Sequence, residues 1–597
     1  MDFTRLFDIL PYQQRRFPQQ TALAGKDAQG KWHTWSTDRL LSERDHISAG
    51  LLQAGLHPHD RVAVLVHCGS PQWVVADAAM MQIGIVPVPI HATSRPDEIA
   101  HIARDAGVKA CFVSNAAMLA RFRASGAEVA HVFSFEELEQ ESSVVAWHQL
   151  ACIPDAHWLE KIAYYRQGIE PHHLALLLYT SGTTGQPKGV MLTHDNIVSN
   201  IKSVMAIVPV GPRTTVVSFL PVSHIFERTV TYLYQASGAP VWFADAVENM
   251  PDIFREVRPH FCTAVPRILE KMEERLQEQR TQAGPVKRRL LDWAIRIGER
   301  FPSLGVYQMD LRYRLERMLL DFLVFRHWRK RMGGRLRYMA VGAAALQPRL
   351  GRLFSAAGIE VREGYGLTET SPVVAFNRFE PGGVHFGTVG IPAPGVEVRI
   401  AAPDEQGDGE IEVRGPNVMQ GYYGLEEETK ERFTEDGWLR TGDMGRFEYK
   451  RFLRITGRKS EIFKTSSGKF VAPAFVEQRL LSSPFISQCM VTGVNRPFAG
   501  ALIIPNFDRL EAWCRENKIH WTAPRFMVLN PKVEKFFQME IQRINEELLG
   551  SVEKIRAFKL LYDPWTAENG LLTPTLKLKR LAIAAKFKAE TEEMYQD

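Results

Sequence analysis

The chain has 597 residues, 45% hydrophobic and 24% charged, the profile of a globular protein built from several structural units rather than a disordered or fibrous chain. Its 73 basic and 68 acidic residues leave +5, too small an excess to argue for nucleic acid. Six cysteines scattered from Cys68 to Cys514 form neither a metal pair nor a disulfide framework and read as thiols of a reducing, cytoplasmic compartment. The first twenty residues carry acids and no long apolar core, unlike a secretory leader, and no apolar run reaches the ~20 residues that cross a bilayer.

Between 61 and 114, RVAVLVH, IVPVPI and VKACFVS read as strands separated by two helical patterns, which implies parallel pairing with right-handed crossovers. His91 and His101 lie here without partners at ligand spacing, so they read as structural or surface histidines. An apolar run after His173, read as a buried strand, then feeds YTSGTTGQPKGV at 179–190. Its glycines let the main chain approach a ligand, its hydroxyls donate to phosphate oxygens, and Lys188 adds a point charge. The common nucleotide loop requires Gly-Lys followed by Ser or Thr; here Pro187 precedes the lysine and Gly189 follows it. A flexible linker is the alternative, but linkers rarely follow a buried strand. The cluster from Thr193 predicts a helix start, continuing to about Val208.

Next, SFLPVSHIFERT at 218–229 reads as a strand, a proline turn and His224, structural by itself but a lining residue if it borders a nucleotide loop. After further alternation at 239–266, the stretch 269–337 is mostly helical. Its second half sets many basic residues against Asp310, Glu316 and Asp321, and alternates them with Leu, Phe and Trp. That pattern fits either a packed helical pair with a solvated basic face or an amphipathic surface for an anionic membrane. A strand at 336–341 ends in Gly342, Ala343 and two more alanines, small enough for a flat base to lie against. A helix at 348–357 leads to a second strand ending in EGYGLTET, from Glu363. Ligands gather beyond the carboxyl ends of parallel strands, so both endings point to one site. There Tyr365 offers an aromatic face, Thr368 a hydroxyl, and Glu369 a carboxylate that suits phosphates only through a cation such as magnesium. Short hairpins are expected at 387–414, and Asp443 reads as lying in a turn between Gly442 and Met444. Strands and helices mix in the remainder, and Lys577, Lys579 and Arg580 close it as what would otherwise be a solvated basic patch.

YTSGTTGQPKGV resembles the signature loop of adenylate-forming enzymes, the group of acyl-CoA synthetases, luciferases and peptide-synthetase adenylation domains. SFLPVSHIFERT, YGLTETSP, the run EDGWLRTGDMGRFEYKRFLRITGRKSEIFKTSSGKFVAP at 435–473, and TPTLK follow in the same order; the His-x-Phe-Glu-Arg ending and the long run resemble the long-chain fatty acyl-CoA synthetases. The resemblance implies an α/β fold. A large N-terminal domain of αβ layers (1–457) would carry a small β-barrel-like subdomain and the basic helical insertion near 269–337. A hinge at 458–461 and a small mobile α+β C-terminal domain (462–597) with the catalytic lysine would follow.

ATP, Mg2+ and coenzyme A are the implied ligands. Phosphates would contact Thr180, Ser181, Gly182, Thr183, Thr184, Gly185, Lys188 and Thr368, with adenine on Tyr365 beside Gly342, Ala343, Glu363, Gly364 and Gly366. Asp443 and Arg458 would hold the ribose, and Glu369 with Thr180 the magnesium. His224 would border the acyl pocket, and Lys577 would be the mobile catalytic lysine, with Lys579 its competitor. Lys464 and Gly468 complete the binding set, Gly468 beside the pantetheine tunnel. Ser460 departs from the usual hinge residue and Arg451 from a usual glycine, and no gate residue is carried over at Arg228. The implied activity is ligation of a long-chain fatty acid to CoA through an acyl-adenylate. One alternative delivers the acyl group to an acyl-carrier protein. Another is a catalytically silent membrane-associated protein, against which stand the intact Lys188, Glu369, Asp443, Arg458 and Lys577. The expected setting is cytoplasmic, with peripheral contact on the inner face of a membrane through the helices near 309–337.

Overall fold

The computed structural model describes residues 3–27, 29–138, 141–180, 186–246, 249–305, 309–466, 470–548, 553–573 and 577–595. Strands Arg61–Val66, Val86–His91 and Val108–Val113 pair in parallel, and helices Pro71–Gln82 and Pro96–Asp105 provide the crossovers. His131–Ser134 and Val144–Ala146 extend them into a five-stranded parallel sheet. Consecutive residues Val62, Ala63, Val64 and Leu65 are all buried, as expected of a strand covered on both faces. Helix Pro71–Gln82 is apolar nearly all round and correspondingly buried all round.

A second, nine-stranded sheet has a parallel centre that includes Val216–Ser218, Phe261–Ala264, Tyr338–Val341 and Glu360–Gly366. Strand Glu360–Gly366 changes partner. It runs parallel to Tyr338–Val341 as far as Glu363, then pairs antiparallel with Val373–Phe376 from Gly364. The Gly-Tyr-Gly segment therefore lies inside a strand, not beyond the end of one. A Cβ on Gly366 would sit 1.8 Å from the Pro372 carbonyl oxygen, so glycine is what permits this close approach.

The described ends of the 179–190 stretch are paired as the two strands of a hairpin. Leu174–Thr180 pairs antiparallel with Lys188–Thr193, Thr180 lies opposite Lys188, and Gly421–Tyr422 adds a third strand. The hairpin runs directly into helix His194–Met205. Thr193 Oγ1 accepts from the Asn196 N–H at 3.0 Å while Asn196 Oδ1 accepts from the Thr193 N–H at 2.9 Å, a reciprocal cap. Asn196 also donates to the Pro416 and Val418 carbonyls, and buried Asn200 exchanges two hydrogen bonds with the Val373 backbone. This one helix thus ties the hairpin to two other segments of the site.

The expected barrel-like unit is an open four-stranded antiparallel sheet of Glu397–Ala401, Gly409–Arg414, Leu439–Glu448 and Phe452–Arg458; among the described residues no barrel closes. Asp443 lies within a strand, directly opposite Arg458, instead of in a turn. Gly442, at φ +73°, and a register shift at Met444/Gly445 bend that strand. The following hairpin turns on left-handed Tyr449 and Lys450 (φ 50° and 57°), so Arg451 sits after the turn, its N–H bonded to the Glu448 carbonyl.

Residues within 463–560 form an apolar core of their own around Val533, Phe537 and Ile503, against strands Ile486–Thr492, Ala499–Pro505 and Ile555–Leu560. The insertion is helical, as expected. Pro266–Thr281 and Pro285–Glu299 precede a helical run of Leu311–Leu320, a π turn Asp321–Phe325 and Arg326–Arg331. Leu291, Leu320, Phe325 and Trp328 pack there with Leu353 of helix Pro348–Ala356. Among the described residues no helix is long and apolar enough to cross a membrane.

Candidate active site

A cavity of about 1900 Å³ opens between the hairpin, the ends of the nine-stranded sheet, the open sheet and the C-terminal unit. Thr180, Lys188, His224, Gly342, Ala343, Glu363, Gly364, Tyr365, Gly366, Thr368, Glu369, Asp443, Arg458 and Lys577 all line it, so among the described residues the fold gathers the expected binding and catalytic set with the exception of Lys464. Ser181, Gly182, Thr183, Thr184, Gly185 and Gly468 lie outside the described residues. Lys464 does not line the cavity. It is exposed on strand Phe463–Lys464, its Nζ 5.5 Å over the Phe470 ring.

Asp443, 5% exposed, organises one end. Its Oδ1 accepts from Arg458 Nε at 2.8 Å and its Oδ2 from the Tyr365 hydroxyl at 2.7 Å. Burial, then the Asp443 charge, pushes the Tyr365 phenol well above its ordinary range, so it remains a donor. Burial works against the Arg458 guanidinium, but the adjacent carboxylate more than offsets it and its pKa ends raised. Each Asp443 oxygen keeps a second lone-pair direction, which suits a vicinal diol.

Glu369 is also buried, and its Oε1 accepts from the Tyr422 hydroxyl at 2.9 Å. Among the described residues no three His, Cys, Asp or Glu side chains cluster as a self-sufficient metal site. One carboxylate and the Thr180 hydroxyl of the same cavity, completed by phosphate oxygens, make a donor set that fits magnesium. Glu363, also lining the cavity, accepts from the Leu346 N–H at 2.9 Å, while burial lifts its carboxyl to about 8. Ala343, beside it, holds a left-handed φ of +70°.

His224 caps helix Ile225–Ala236, its Nδ1 accepting from the Phe226 N–H at 3.1 Å. Nε2 therefore carries the proton of the neutral ring. Burial first, then His91 and Lys577, depresses its pKa to about 3. His91 bonds the Ser223 hydroxyl at 2.8 Å and so supports the His224 loop from behind, as a structural histidine.

The two C-terminal lysines separate cleanly. Lys577 lines the cavity, and its backbone exchanges hydrogen bonds with Thr573 at 3.0 and 2.8 Å. Surrounding protein, then Arg458, lowers its ammonium pKa, with Asp443, Glu369 and Glu461 acting in the opposite direction. Lys579 instead donates to Glu98 Oε1 at 3.0 Å, on helix Pro96–Asp105. Lys188 pairs with Glu428 and sits 5.7 Å over the Tyr422 ring.

Sequence reasoning missed Tyr422, Glu98 and the cavity's apolar branch, which Val204, Val208, Val230, Leu233 and Phe261 line. These residues come from separate helices, two strands and a bend, and no local pattern marks them. Taken together, the cavity offers cations and donors for a polyanion, a buried carboxylate for a diol, and apolar wall for a hydrocarbon.

The model of the AMP-binding enzyme family matches residues 10–423, and that of the AMP-binding enzyme C-terminal domain matches 461–597. A long-chain-fatty-acid–CoA ligase of Mycobacterium bovis is 34% identical over 580 residues, covering 95% of this chain and 93% of that protein. The peroxisomal long chain acyl-CoA synthetase 7 of Arabidopsis thaliana is 31% identical over 593 residues, covering 95% and 82%. Among solved structures, the adenylation domain of a carboxylate reductase from Mycobacterium chelonae aligns with a TM-score of 0.76 at 20% identity, covering 99% of this chain and 91% of that one. ATP-bound MatB from Rhodopseudomonas palustris aligns at 0.67, also at 20% identity, covering 98% and 99%. Those structures share the fold, and the family match spans both units: the chain belongs to the AMP-binding enzyme family.

Proposed function

We propose that the chain is an AMP-forming long-chain fatty acid:CoA ligase, working through a 1–457 domain, a hinge at 458–461 and a mobile 462–597 domain. The observation that carries this reading is the convergence of Thr180, Glu369, the Asp443–Arg458 pair and Lys577 on one cavity that also has an apolar branch. Adenine lies against Tyr365 and the Gly342–Ala343 backbone, with the ribose hydroxyls on Asp443. The hairpin, Lys188 and Thr368 hold the phosphates. Magnesium, when bound by Glu369 and Thr180, offsets phosphate charge. The fatty acid carboxylate attacks the α-phosphorus, the bond to pyrophosphate breaks, and Lys577 stabilises charge on the α-phosphate and both reacting oxygens. Neutral His224 borders the carboxylate without adding charge. In the second half-reaction the C-terminal domain turns about the hinge, Lys577 leaves, and the CoA thiolate attacks the acyl carbonyl and expels AMP.

Long-chain acids partition into bilayers, so peripheral contact with a membrane belongs to the same reading. A panel of acids, from short to long and including aryl acids, tests it by AMP release dependent on both ATP and CoA. Long-chain acyl-CoA and AMP are the expected products. Acyl transfer to a phosphopantetheinyl carrier protein and none to CoA would contradict the assignment.

A further inference from the structure

The helical run 311–331 has two unlike faces. Tyr313, Leu320, Val324, Phe325 and Trp328 are buried in the insertion's own core. On the opposite side Leu311, Leu315, Met318, Leu319 and Phe322 lie between 49% and 73% exposed, where a helix in water ordinarily presents polar residues. Their spacing of three and four places them on one stripe, roughly 17 Å long at 1.5 Å per residue. Exposed Arg312, Arg314, Arg326, His327, Lys330 and Arg331 flank it. Arg326 stands 4.0 Å over the Phe322 ring, its charge above an aromatic face. Nine Lys and Arg lie between 309 and 337 against three acids, and all three acids are engaged locally: Asp310 caps the Tyr313 N–H, Glu316 pairs with Arg312, and Asp321 pairs with Arg329.

We propose that this stripe is a docking surface for an anionic lipid bilayer. The helix lies flat, its leucines, methionine and phenylalanine enter the headgroup–acyl boundary, and the surrounding cations meet lipid phosphates. A second copy of the chain fits less well, because a two-fold contact would set the same cations against themselves. A neutral protein groove would cover the apolar side chains and leave the cations unmatched. This docking surface deepens the membrane contact of the proposed function by naming where it occurs, and because none of the stripe residues lines the cavity, loss of docking and loss of catalysis are separately measurable.

Sedimentation of the full chain with vesicles of phosphatidylglycerol and phosphatidylcholine, against phosphatidylcholine alone, tests the proposal. Binding to the anionic vesicles is expected to be at least about tenfold tighter and to weaken with salt. Joint Leu315→Ser, Met318→Ser and Phe322→Ser substitution lowers partitioning about tenfold or more through lost apolar insertion. Joint Arg312→Glu, Arg326→Glu and Lys330→Glu substitution removes the preference for anionic lipid. Unchanged ATP–pyrophosphate exchange with a water-soluble acid shows that both variants fold. As a second measurement, the indole of a Phe322→Trp variant gains quenching by brominated acyl chains relative to the unsubstituted protein. Absence of anionic-vesicle binding, serine variants that bind as well as the parent, or an unquenched indole in the Phe322→Trp variant would each overturn the proposal. So would a dimer that forms without lipid and is lost in the serine variant.

Discussion

Lys577 and Lys579 stand two positions apart and meet different neighbours, one the cavity and the other Glu98 on the far side of the domain junction. In the proposed ligase the Lys579–Glu98 pair would keep Lys577, two positions before it, at the cavity. It is partly buried, so its loss costs about 1 kcal/mol, roughly fivefold. Glu98→Gln is therefore expected to slow acyl-adenylate formation about fivefold, at ~1 kcal/mol for the pair, while leaving attack of CoA on supplied acyl-adenylate unchanged. Lys579→Met should match it; complete loss of adenylation in that variant would move the catalytic role to Lys579. At this scale the sequence singled out Glu369, Asp443 and Lys577 through local motifs, and the fold sets all three on one cavity. The sequence was silent on Tyr422 and Glu98, because their partners lie 53 and 481 residues away and leave no local signal.

At the scale of elements, helices Pro71–Gln82 and Ile225–Ala236 are joined by a fully buried ion pair. Arg228 Nη1 donates to Asp77 at 2.6 and 2.8 Å, its Nε donates to the Val222 carbonyl at 3.0 Å, and the Tyr232 hydroxyl also bonds Asp77. Burial alone would depress the Arg228 pKa; Asp77 reverses this and leaves it raised. Removing one partner strands a buried charge, so Arg228→Met is expected to cost ~3–5 kcal/mol in urea unfolding. Joint Asp77→Leu and Arg228→Met substitution should recover most of that loss, since apolar residues replace buried pairs at little cost. A double variant no more stable than Arg228→Met would contradict this account. The alternating strands and helices at 61–114 were readable because their periodicity is local and their strands are apolar on both faces. Asp443 and the Gly-Tyr-Gly segment were misplaced because their glycines read as turns; in the fold Gly442 bends a strand and Gly366 lets two strands touch.

At the scale of the whole molecule, burial leaves several histidines uncharged. His194, 2% exposed and accepting from the Leu6 N–H, is depressed to about 3, His224 to about 3 and His91 to about 4. In the unfolded chain such groups titrate near ~6.5, so between there and the folded values the unfolded state binds more protons. Stability therefore falls as pH falls through this window, by roughly 1.4 kcal/mol per pH unit for each such histidine. Urea midpoints measured from pH 7 to 4.5 should drop accordingly, and His194→Asn, which keeps an acceptor near Nδ1, should flatten the slope; an unchanged slope would contradict the burial argument. In the sequence the expected boundary near 460 shows only as a change in composition; in the fold, residues within 463–560 hold an apolar core of their own. The mutual placement of the two units was not legible, because it depends on long-range pairs such as Lys579–Glu98.

In the proposed ligase two half-reactions share one cavity, and Lys577 serves only the first. Lys577→Ala tests this most directly, with ATP–pyrophosphate exchange measured beside CoA attack on supplied acyl-adenylate. Exchange is expected to fall ~10²–10³-fold or more, as for loss of a preorganised charge donor, while thioester formation is retained. Full exchange in that variant, or equal loss of both half-reactions, would contradict it.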